Sequence, residues 1–290
     1  MDTKKKFEVL IIGGSYSGLS AAMTLGRSLR SILIIDSGLP CNRQTPHSHN
    51  FITQDGATPR EISLKAKSQV LKYDTVHFIE DKASKGIKTD SGFHIHTESG
   101  ENFEAKKVIF ATGIKDIMPE IKGFSDCWGI SVVHCPYCHG YEIKNQKTGI
   151  IAKGETAFHL APLVKNLTDE LTILTNGKAE FNSEQLSKLN KNNIKIIEKE
   201  IIAVEHVNGY IKNVVFSDNS IEHFKATYAA LPFKQQSDIP ELLGCELNEQ
   251  GYIQVDMMGK TTVEGVFACG DNTTRIRSVA NAAASGNMVG

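Results

Sequence analysis

Runs of apolar, β-branched residues alternate with helix-like segments along this chain of 290 residues. Residues 7–12 predict a buried strand, which stops at Gly13-Gly14. Leu19 and Ala22 lie on one face of a helix predicted from about Ser17 to Leu29, and residues 31–36 predict a second buried strand. These segments predict one βαβ unit at the start of the chain.

A second, weaker βαβ pattern begins near Gly149. It consists of a strand at 149–152, a helix at 155–167 and a strand at 171–174, followed by strands near 194–197, 211–217 and 228–231. The two patterns form an imperfect internal repeat. They predict an α/β fold with two Rossmann-like dinucleotide-binding domains.

The remaining segments lie between and after these two units in the sequence. Residues 40–60 are rich in Pro, His, Asn, Thr and Gly and predict a loop near a functional site, with a helix after it at 60–72. Alternating segments at 75–80, 83–89, 92–98 and 101–105 predict antiparallel strands, and 107–110 predict a buried strand. Near the end, a strand runs into Gly270-Asp271, and a helix is predicted from about Arg277.

Composition and charge exclude several classes of protein. Apolar residues make up 40%, charged residues 22%, and the net charge is −1, so neither nucleic acid nor an anionic membrane is an expected partner. No stretch approaches the ~20 apolar residues of a membrane span. We recognise no export signal and expect a cytoplasmic protein, where six cysteines indicate redox or metal chemistry rather than structural disulfides.

The first candidate site is the glycine-rich turn between the first strand and helix. Gly13 would allow a tight turn, and Gly18 would allow close packing of helix and strand. The helix N-terminus would hold a pyrophosphate, while Asp36, at the end of the second strand, suits a ribose hydroxyl. A generic glycine-rich turn is the alternative. The residues predicted to bind cofactor here are Gly13, Gly14, Ser15, Ser17, Gly18, Asp36 and Ser37.

Two further strand ends resemble this device. One is Ala111-Thr112-Gly113, and the other is Gly270-Asp271. The Asp271 carboxylate could accept a hydrogen bond from a ligand hydroxyl, and the helix start near Arg277, Ser278 and Val279 could face the same ligand. Three such strand ends predict one shared cofactor site, formed by Ala111, Thr112, Gly113, Gly270, Asp271, Arg277, Ser278 and Val279 together with the glycine-rich turn.

The third candidate is the Cys135-Pro136-Tyr137-Cys138 motif. A CxxC pair at a helix start favours the thiolate that performs disulfide exchange, and His139 directly after it could move the thiol proton. A zinc site would need a second ligand pair, and an inert packed pair or a capping histidine are the remaining alternatives. We expect the other cysteines to be small buried residues: Cys41, Cys127, Cys245 and Cys269.

In this order, the motifs resemble low-molecular-weight thioredoxin reductases over essentially the whole chain. The resemblance implies FAD as cofactor, a flavin domain formed by residues 1–115 and 233–290, and an inserted NAD(P)-binding-like domain at 116–232. It also implies that Cys138 faces the flavin, that Cys135 attacks the substrate disulfide, and that domains rotate between two states. A homodimer, a thioredoxin-like partner and a last helix continuing past Gly290 are further implications.

The chain departs from that family at several positions. Ala152 replaces the first glycine of the second fingerprint, and Thr175-Asn176-Gly177 stands where typical members hold the NADPH 2′-phosphate with arginines. His139 replaces an aspartate, and this CxxCH arrangement, like Ser278, is similar to thioredoxin-reductase-like dithiol oxidases. The substrate could therefore be a disulfide or a small dithiol.

Three functions remain open after these departures. A reductase would take hydride from NADPH or NADH, an oxidase would pass electrons from a dithiol to oxygen, and a redox sensor would bind flavin without turnover.

Overall fold

A computed structural model describes residues 5–290, which separate into two compact units. The first contains the chain up to Arg43, Phe51–Lys115 and Phe233–Gly290, and the second contains Gln44–Asn50 and Asp116–Pro232. Gln44–Asn50 falls within the predicted domain 1–115, and the structure groups it with the second unit. The identification of these units as FAD-binding and NAD(P)-binding-like domains stays a prediction.

The secondary structure follows the chain in this order. The strands are β1 (Lys6–Ile12), β2 (Ile32–Asp36), β3 (Val76–Glu80), β4 (Ala83–Thr89), β5 (Gly92–Thr97), β6 (Asn102–Phe110), β7 (Ile114–Asp116), β8 (Val132–Val133), β9 (Thr148–Ile151), β10 (Leu171–Leu174), β11 (Lys195–Ile197), β12 (Ile201–Val207), β13 (Tyr210–Phe216), β14 (Ile221–His223), β15 (Ala226–Ala229), β16 (Phe233–Gln235) and β17 (Val266–Ala268). The helices are α1 (Tyr16–Arg27), α2 (Pro59–Val70), α3 (Phe124–Cys127), α4 (Pro136–His139), α5 (Gly154–Lys165), α6 (Ser183–Lys191), α7 (Ile239–Leu242) and α8 (Val279–Val289).

A mixed sheet in the order β3-β2-β1-β6-β5-β4 forms the first unit, with β17 beside the second half of β6. Strands β2, β1 and β6 are parallel, and nearly all of their apolar residues are buried, as their apolar runs predict. The antiparallel prediction is confirmed for β4, β5 and β6. It is wrong for residues 75–80, because β3 lies parallel to β2, and the chain returns through α2 before β3 begins.

The segments predicted as separate strands at 101–105 and 107–110 form the single strand β6. Its first half pairs with β5, and its second half pairs with β17 while β1 lies along its other edge. Exposed Lys106 and Lys107 interrupt the apolar pattern where the partner strand changes. This change of partner explains why the sequence alone suggested a break.

The second unit contains a parallel sheet in the order β11-β10-β9-β15-β8 and a separate antiparallel sheet of β12, β13 and β14. The predicted βαβ of β9, α5 and β10 is confirmed, since Ile151 pairs in register with Leu174. Strands β12 and β14 were missed, because their exposed edges carry mixed polar and apolar residues.

The predicted helices α1, α2 and α5 begin and end within about two residues of the expected limits. The helix predicted from about Arg277 likewise starts within two residues of the expected position. Helix α8 begins at Val279, because Ser278 is its N-cap and the Ser278 side chain accepts a hydrogen bond from the Asn281 N–H at 3.1 Å. Within residues 5–290, no helix combines the length and apolarity required to cross a bilayer.

Candidate cofactor and redox sites

The first unit brings its predicted cofactor residues that follow β1, β2, β6 and β17 to one edge of its sheet. Strands β2, β1, β6 and β17 are parallel neighbours, so their carboxyl ends lie side by side. The loops that follow them are Gly13–Gly18, Asp36-Ser37, Ala111–Gly113 and Cys269–Asp271. The carboxyl edge of such a sheet is where α/β folds bind nucleotides.

Two glycines in the first loop have conformations or contacts that a side chain would not permit. Gly13 has φ +103°, and a Cβ atom there would overlap the carbonyl oxygen of Ala111. A Cβ atom on Gly18 would overlap the Gly13 carbonyl oxygen. The predicted reasons for both glycines are therefore confirmed, because they hold α1 against the strand ends.

The N-terminus of α1 is suited to an anionic group. Ser15 is the N-cap, and its side chain makes no capping hydrogen bond. The Asp36 carboxylate instead braces the loops, with Oδ1 accepting from the Gly14 N–H at 2.8 Å and Oδ2 accepting from the Gly38 N–H at 3.1 Å. Helix dipole and backbone N–H groups at this end would attract a phosphate. The role of Asp36 toward a ribose stays a prediction.

At the end of β17, Asp271 lies close to two other side chains. Its Oδ2 is 3.8 Å from Arg277 Nε and 3.9 Å from Cys41 Sγ. Both charged side chains are about five-sixths buried, with 15% of Asp271 and 16% of Arg277 exposed. This pairing places Arg277 beside the predicted cofactor edge just before α8 begins.

Asn272 belongs to the same edge and was missed by the sequence analysis. Its side chain is fully buried, and Nδ2 donates to the Phe110 carbonyl at 2.8 Å and to Thr112 Oγ1 at 3.3 Å. These bonds tie the end of β17 to the end of β6. Its Oδ1 has no hydrogen-bond partner among residues 5–290 and remains an acceptor for a ligand. Its position directly after Gly270-Asp271 was the available signal.

In the second unit, Cys135 and Cys138 form a disulfide with a Cα–Cα distance of 5.3 Å. Cys135 is the N-cap of α4, a helix of a single turn, and its Sγ accepts a hydrogen bond from the Cys138 N–H at 3.2 Å. Both cysteines are partly exposed. The pair is therefore accessible to a thiol, and the backbone donates to the first sulfur, which favours its thiolate after reduction.

His139 is the last residue of α4 and is partly buried. Burial lowers the pKa of His139 below its ordinary value of 6.5; the Glu142 carboxylate opposes this shift and His49 adds to it. His49 Nε2 lies 3.6 Å from Glu142 Oε1. At neutral pH the His139 ring is therefore uncharged and able to accept a proton.

The remaining cysteines differ from this pair in their surroundings. Burial raises the pKa of Cys127 to about 11 and of Cys269 to about 12, and it also raises the pKa of Cys245. These three are buried as predicted and stay protonated. Cys41 is exposed, so its prediction as a buried residue is wrong. No group of three His, Cys, Asp or Glu side chains suited to a metal occurs in the described part of the chain.

Comparison with known proteins decides the family. Residues 7–286 match the family model described as pyridine nucleotide-disulphide oxidoreductase. The chain belongs to this family. It is 33% identical to thioredoxin reductase tcpT of Claviceps purpurea, over 100% of this chain and 94% of that protein. The family members that it resembles are thioredoxin reductases, so the chain is a thioredoxin-reductase-like disulfide oxidoreductase.

Solved structures agree with this result. A protein assigned as thioredoxin reductase TrxB from Bacillus anthracis has a TM-score of 0.93 and 32% identity, covering 98% of this chain and 95% of that one. An oxidoreductase from Agrobacterium tumefaciens has a TM-score of 0.91 and 36% identity, with the same coverage of both chains. The predicted α/β fold with two Rossmann-like domains is thereby confirmed.

The family implies FAD and usually NADPH, and the two cofactors fit this chain differently. The first unit fits FAD, because Gly13 and Gly18 hold α1 close to the strand ends, and the buried Asn272 Oδ1 at the same edge has no hydrogen-bond partner among residues 5–290. The second unit does not fit NADPH. At the corresponding start of α5, the Gly154 N–H already donates to the Ala179 carbonyl at 2.9 Å, and Asp116–Pro232 contains no arginine.

We expect Gly18→Ala to lower the thermal midpoint and the fraction of protein that retains FAD, because the new methyl group collides with the Gly13 carbonyl. Overpacking of this kind costs ~1–3 kcal/mol of stability. The measurements are thermal unfolding and the flavin-to-protein absorbance ratio. Gly100→Ala is the control, since a Cβ there meets nothing within 4 Å and the change carries only the strain of the positive φ of Gly100. Equal effects of both changes would contradict the argument.

Proposed function

We propose that this protein transfers two electrons between FAD held by its first unit and the Cys135–Cys138 pair, which exchanges them with an external thiol or disulfide. The observation that carries the proposal is the accessible Cys135–Cys138 disulfide on a one-turn helix. Its two sulfurs differ in environment, because Cys135 Sγ accepts a hydrogen bond from the backbone N–H of Cys138. When bound, FAD supplies a two-electron carrier for the pair.

The residues that would hold FAD follow from the strand ends. The N–H groups at the start of α1 would face the pyrophosphate, and Asp36 would accept a hydrogen bond from a ribose hydroxyl. Asp271 and Asn272 would bond hydroxyl or ring atoms farther along the cofactor, with Arg277 providing the positive charge beside them. The other members of the predicted set are Gly14, Ser15, Ser17, Ser37, Ala111, Thr112, Gly113, Gly270, Ser278 and Val279.

The cysteine pair carries out a balanced exchange. In the reducing direction, Cys135 attacks a substrate sulfur, so a mixed disulfide forms as the substrate S–S bond breaks. Cys138 then attacks Cys135 Sγ, which restores the Cys135–Cys138 bond and releases the substrate as a dithiol. Oxidation of a dithiol is the reverse sequence. The substrate sulfur that leaves takes up a proton, and an uncharged His139 takes a proton from the attacking thiol.

The substrate class is a thioredoxin-like protein or a small-molecule dithiol or disulfide. The family resemblance supports both, and the exposed Tyr137 within the motif leaves the disulfide open to either. A homodimer and a cytoplasmic location remain predictions of the same resemblance.

An anaerobic titration tests this proposal. We expect the purified protein to be yellow. Its flavin band should bleach within about two equivalents of dithiothreitol per flavin, because the Cys135–Cys138 disulfide and the flavin each take two electrons and each dithiol supplies two. The protein with the double change Cys135→Ser and Cys138→Ser is the control and should bleach far more slowly. A flavin-free preparation that FAD does not reconstitute would refute the proposal. A band that bleaches equally in both proteins would refute the role of the pair.

Dithiol oxidation is a second candidate function, and it is favoured because the second unit does not fit NADPH. In that reaction a dithiol and dioxygen give a disulfide and hydrogen peroxide, so no nicotinamide is consumed. The self-contacts at the start of α5 support this direction. Peroxide release during aerobic turnover with dithiothreitol, measured against the double-serine protein, would distinguish it from a reductase.

A further inference from the structure

The loop between β10 and α6, residues Thr175–Asn182, folds over the N-terminus of α5. Strands β9 and β10 are adjacent and parallel, so their carboxyl ends and the start of α5 form the position where a Rossmann-like fold binds a nucleotide. In this chain the Gly154 N–H, the first of α5, donates to the Ala179 carbonyl at 2.9 Å. A donor that would face a pyrophosphate is already used within the protein.

The loop is held in this position by further hydrogen bonds of its own. The Ala179 N–H donates to Glu198 Oε1 at 2.8 Å, and Thr175 Oγ1 donates to the Gly177 carbonyl at 2.6 Å. Asn176 Oδ1 accepts from the Ile201 N–H at 2.7 Å. The polar groups at the end of β10, where a Rossmann-like fold would bind a ribose, are therefore occupied by hydrogen bonds within the second unit.

Glu180 is the residue that lies directly over the helix start. A Cβ atom on Gly154 would be 3.6 Å from the Glu180 carbonyl oxygen and 3.8 Å from its Oε2. The same carboxylate pairs with Lys153, with Nζ and Oε1 2.5 Å apart. Glu180 has φ +61°, a left-handed conformation that is unfavourable for a glutamate. The hydrogen bonds of the surrounding loop maintain this conformation, which places the Glu180 carboxylate at the start of α5, where an anionic ligand would bind.

The charges around the helix start oppose an anion. Glu155 lies in the first turn of α5 and accepts from Gln185 Nε2 at 2.7 Å, so it too remains beside the cleft. Glu155, Glu180 and Glu198 therefore bring three carboxylates to this end of the cleft, of which Glu180 pairs with Lys153. Because the whole second unit lacks arginine, it offers no bidentate partner for a 2′-phosphate.

We propose that the Thr175–Asn182 loop, through Glu180, excludes nicotinamide nucleotides from the second unit, so that thiols are the electron donors of this protein. This inference rests on the proposed function and names its donor class. The donor dithiol reduces the Cys135–Cys138 bond, its two sulfurs join as that bond breaks, and its two protons pass to the cysteines. Glu180 is thus a specificity-determining residue that acts against a dinucleotide.

Equilibrium dialysis of the flavin-loaded protein against NADP⁺ and NAD⁺ tests the inference without any turnover. We expect the wild-type protein to bind neither nucleotide at a ligand concentration of about 1 mM. Glu180→Gly removes the carboxylate and suits the positive φ, so it should bind at least ~10-fold more tightly than wild type. Glu180→Gln, which removes only the charge, should give a smaller gain and provides a second variant if the glycine protein does not fold.

The control is Glu205→Gln, the same charge change on β12 in the same unit, which should leave nucleotide binding unchanged. Wild-type binding of either nucleotide with a Kd below about 1 mM would overturn the inference. So would the absence of any gain in both Glu180 variants, provided that they retain flavin and the wild-type thermal midpoint. Bleaching of the flavin band by dithiothreitol in the same samples tests the proposed function separately, because it does not depend on nucleotide binding.

Discussion

A Cys138→Ser protein is expected to retain FAD but to lose thiol–disulfide turnover by at least ~10³-fold, the scale seen when a residue that forms a covalent intermediate is removed. A serine hydroxyl cannot form the disulfide with Cys135 that closes each exchange. Turnover is measured with dithiothreitol and an aromatic disulfide, and cofactor retention by the flavin absorbance of the purified protein.

The same variant tests which sulfur meets the substrate. With Cys138 absent, a mixed disulfide at Cys135 has no internal thiol to resolve it, so mass spectrometry should find substrate attached to Cys135. Cys245→Ser is the matched control, because this buried cysteine lies in the first unit 3.4 Å from Thr261 Oγ1 and a serine preserves that contact. Turnover by Cys138→Ser near the wild-type rate would remove the cysteine pair from the mechanism.

The cofactor edge of the first unit was predictable because its signals are local. The strand–turn–helix geometry requires glycine at positions 13 and 18, and the apolar run before them predicts that geometry. The alignment of Ala111 and Gly270 beside this turn followed from one rule, that parallel strands place their carboxyl ends together. Neither the glycine pattern nor the strand-end rule assigns individual residues to particular atoms of FAD.

The features that sequence reasoning missed depend on partners that are distant in sequence. The direction of β3 is set by pairing with β2 after a long connection, and nothing in the alternation of residues 75–80 encodes it. The grouping of Gln44–Asn50 with the second unit has the same origin, since it depends on contacts with residues far along the chain. His49 consequently escaped notice as a neighbour of Glu142.

The departures from the family pattern gain a physical meaning in the structure. Missing arginines at Thr175–Gly177 indicated only weak recognition of a 2′-phosphate, which still allows NADH. The position of Glu180 adds an acid at the pyrophosphate end of the cleft, where both nicotinamide nucleotides carry the same charge. The sequence shows that the arginines that would bind the phosphate are missing. That the Glu180 carboxylate lies where it would repel a phosphate depends on the conformation of the loop.

The second large effect concerns His139. His139→Gln should lower the rate of dithiol-dependent flavin reduction at pH 7 by at least ~10²-fold, because a glutamine cannot accept the thiol proton. Burial holds the pKa of His139 below 6.5, so the ring is uncharged at pH 7 and becomes protonated only as the pH falls through that lowered value. The wild-type rate should therefore decline below this pKa, and the acid limb should be missing in His139→Gln. The measurement is the stopped-flow rate from pH 5 to 8.

His223→Gln separates this role from a general loss of a histidine. His223 is exposed on β14 in the same unit, and its replacement should leave both the rate and the acid limb unchanged. Glu142→Gln offers a finer comparison. Its carboxylate raises the pKa of His139 against the effect of burial, so its removal should move the acid limb to lower pH. An acid limb that persists in His139→Gln would assign the proton transfer to another group, and His139 would then serve only to complete the turn after Cys138.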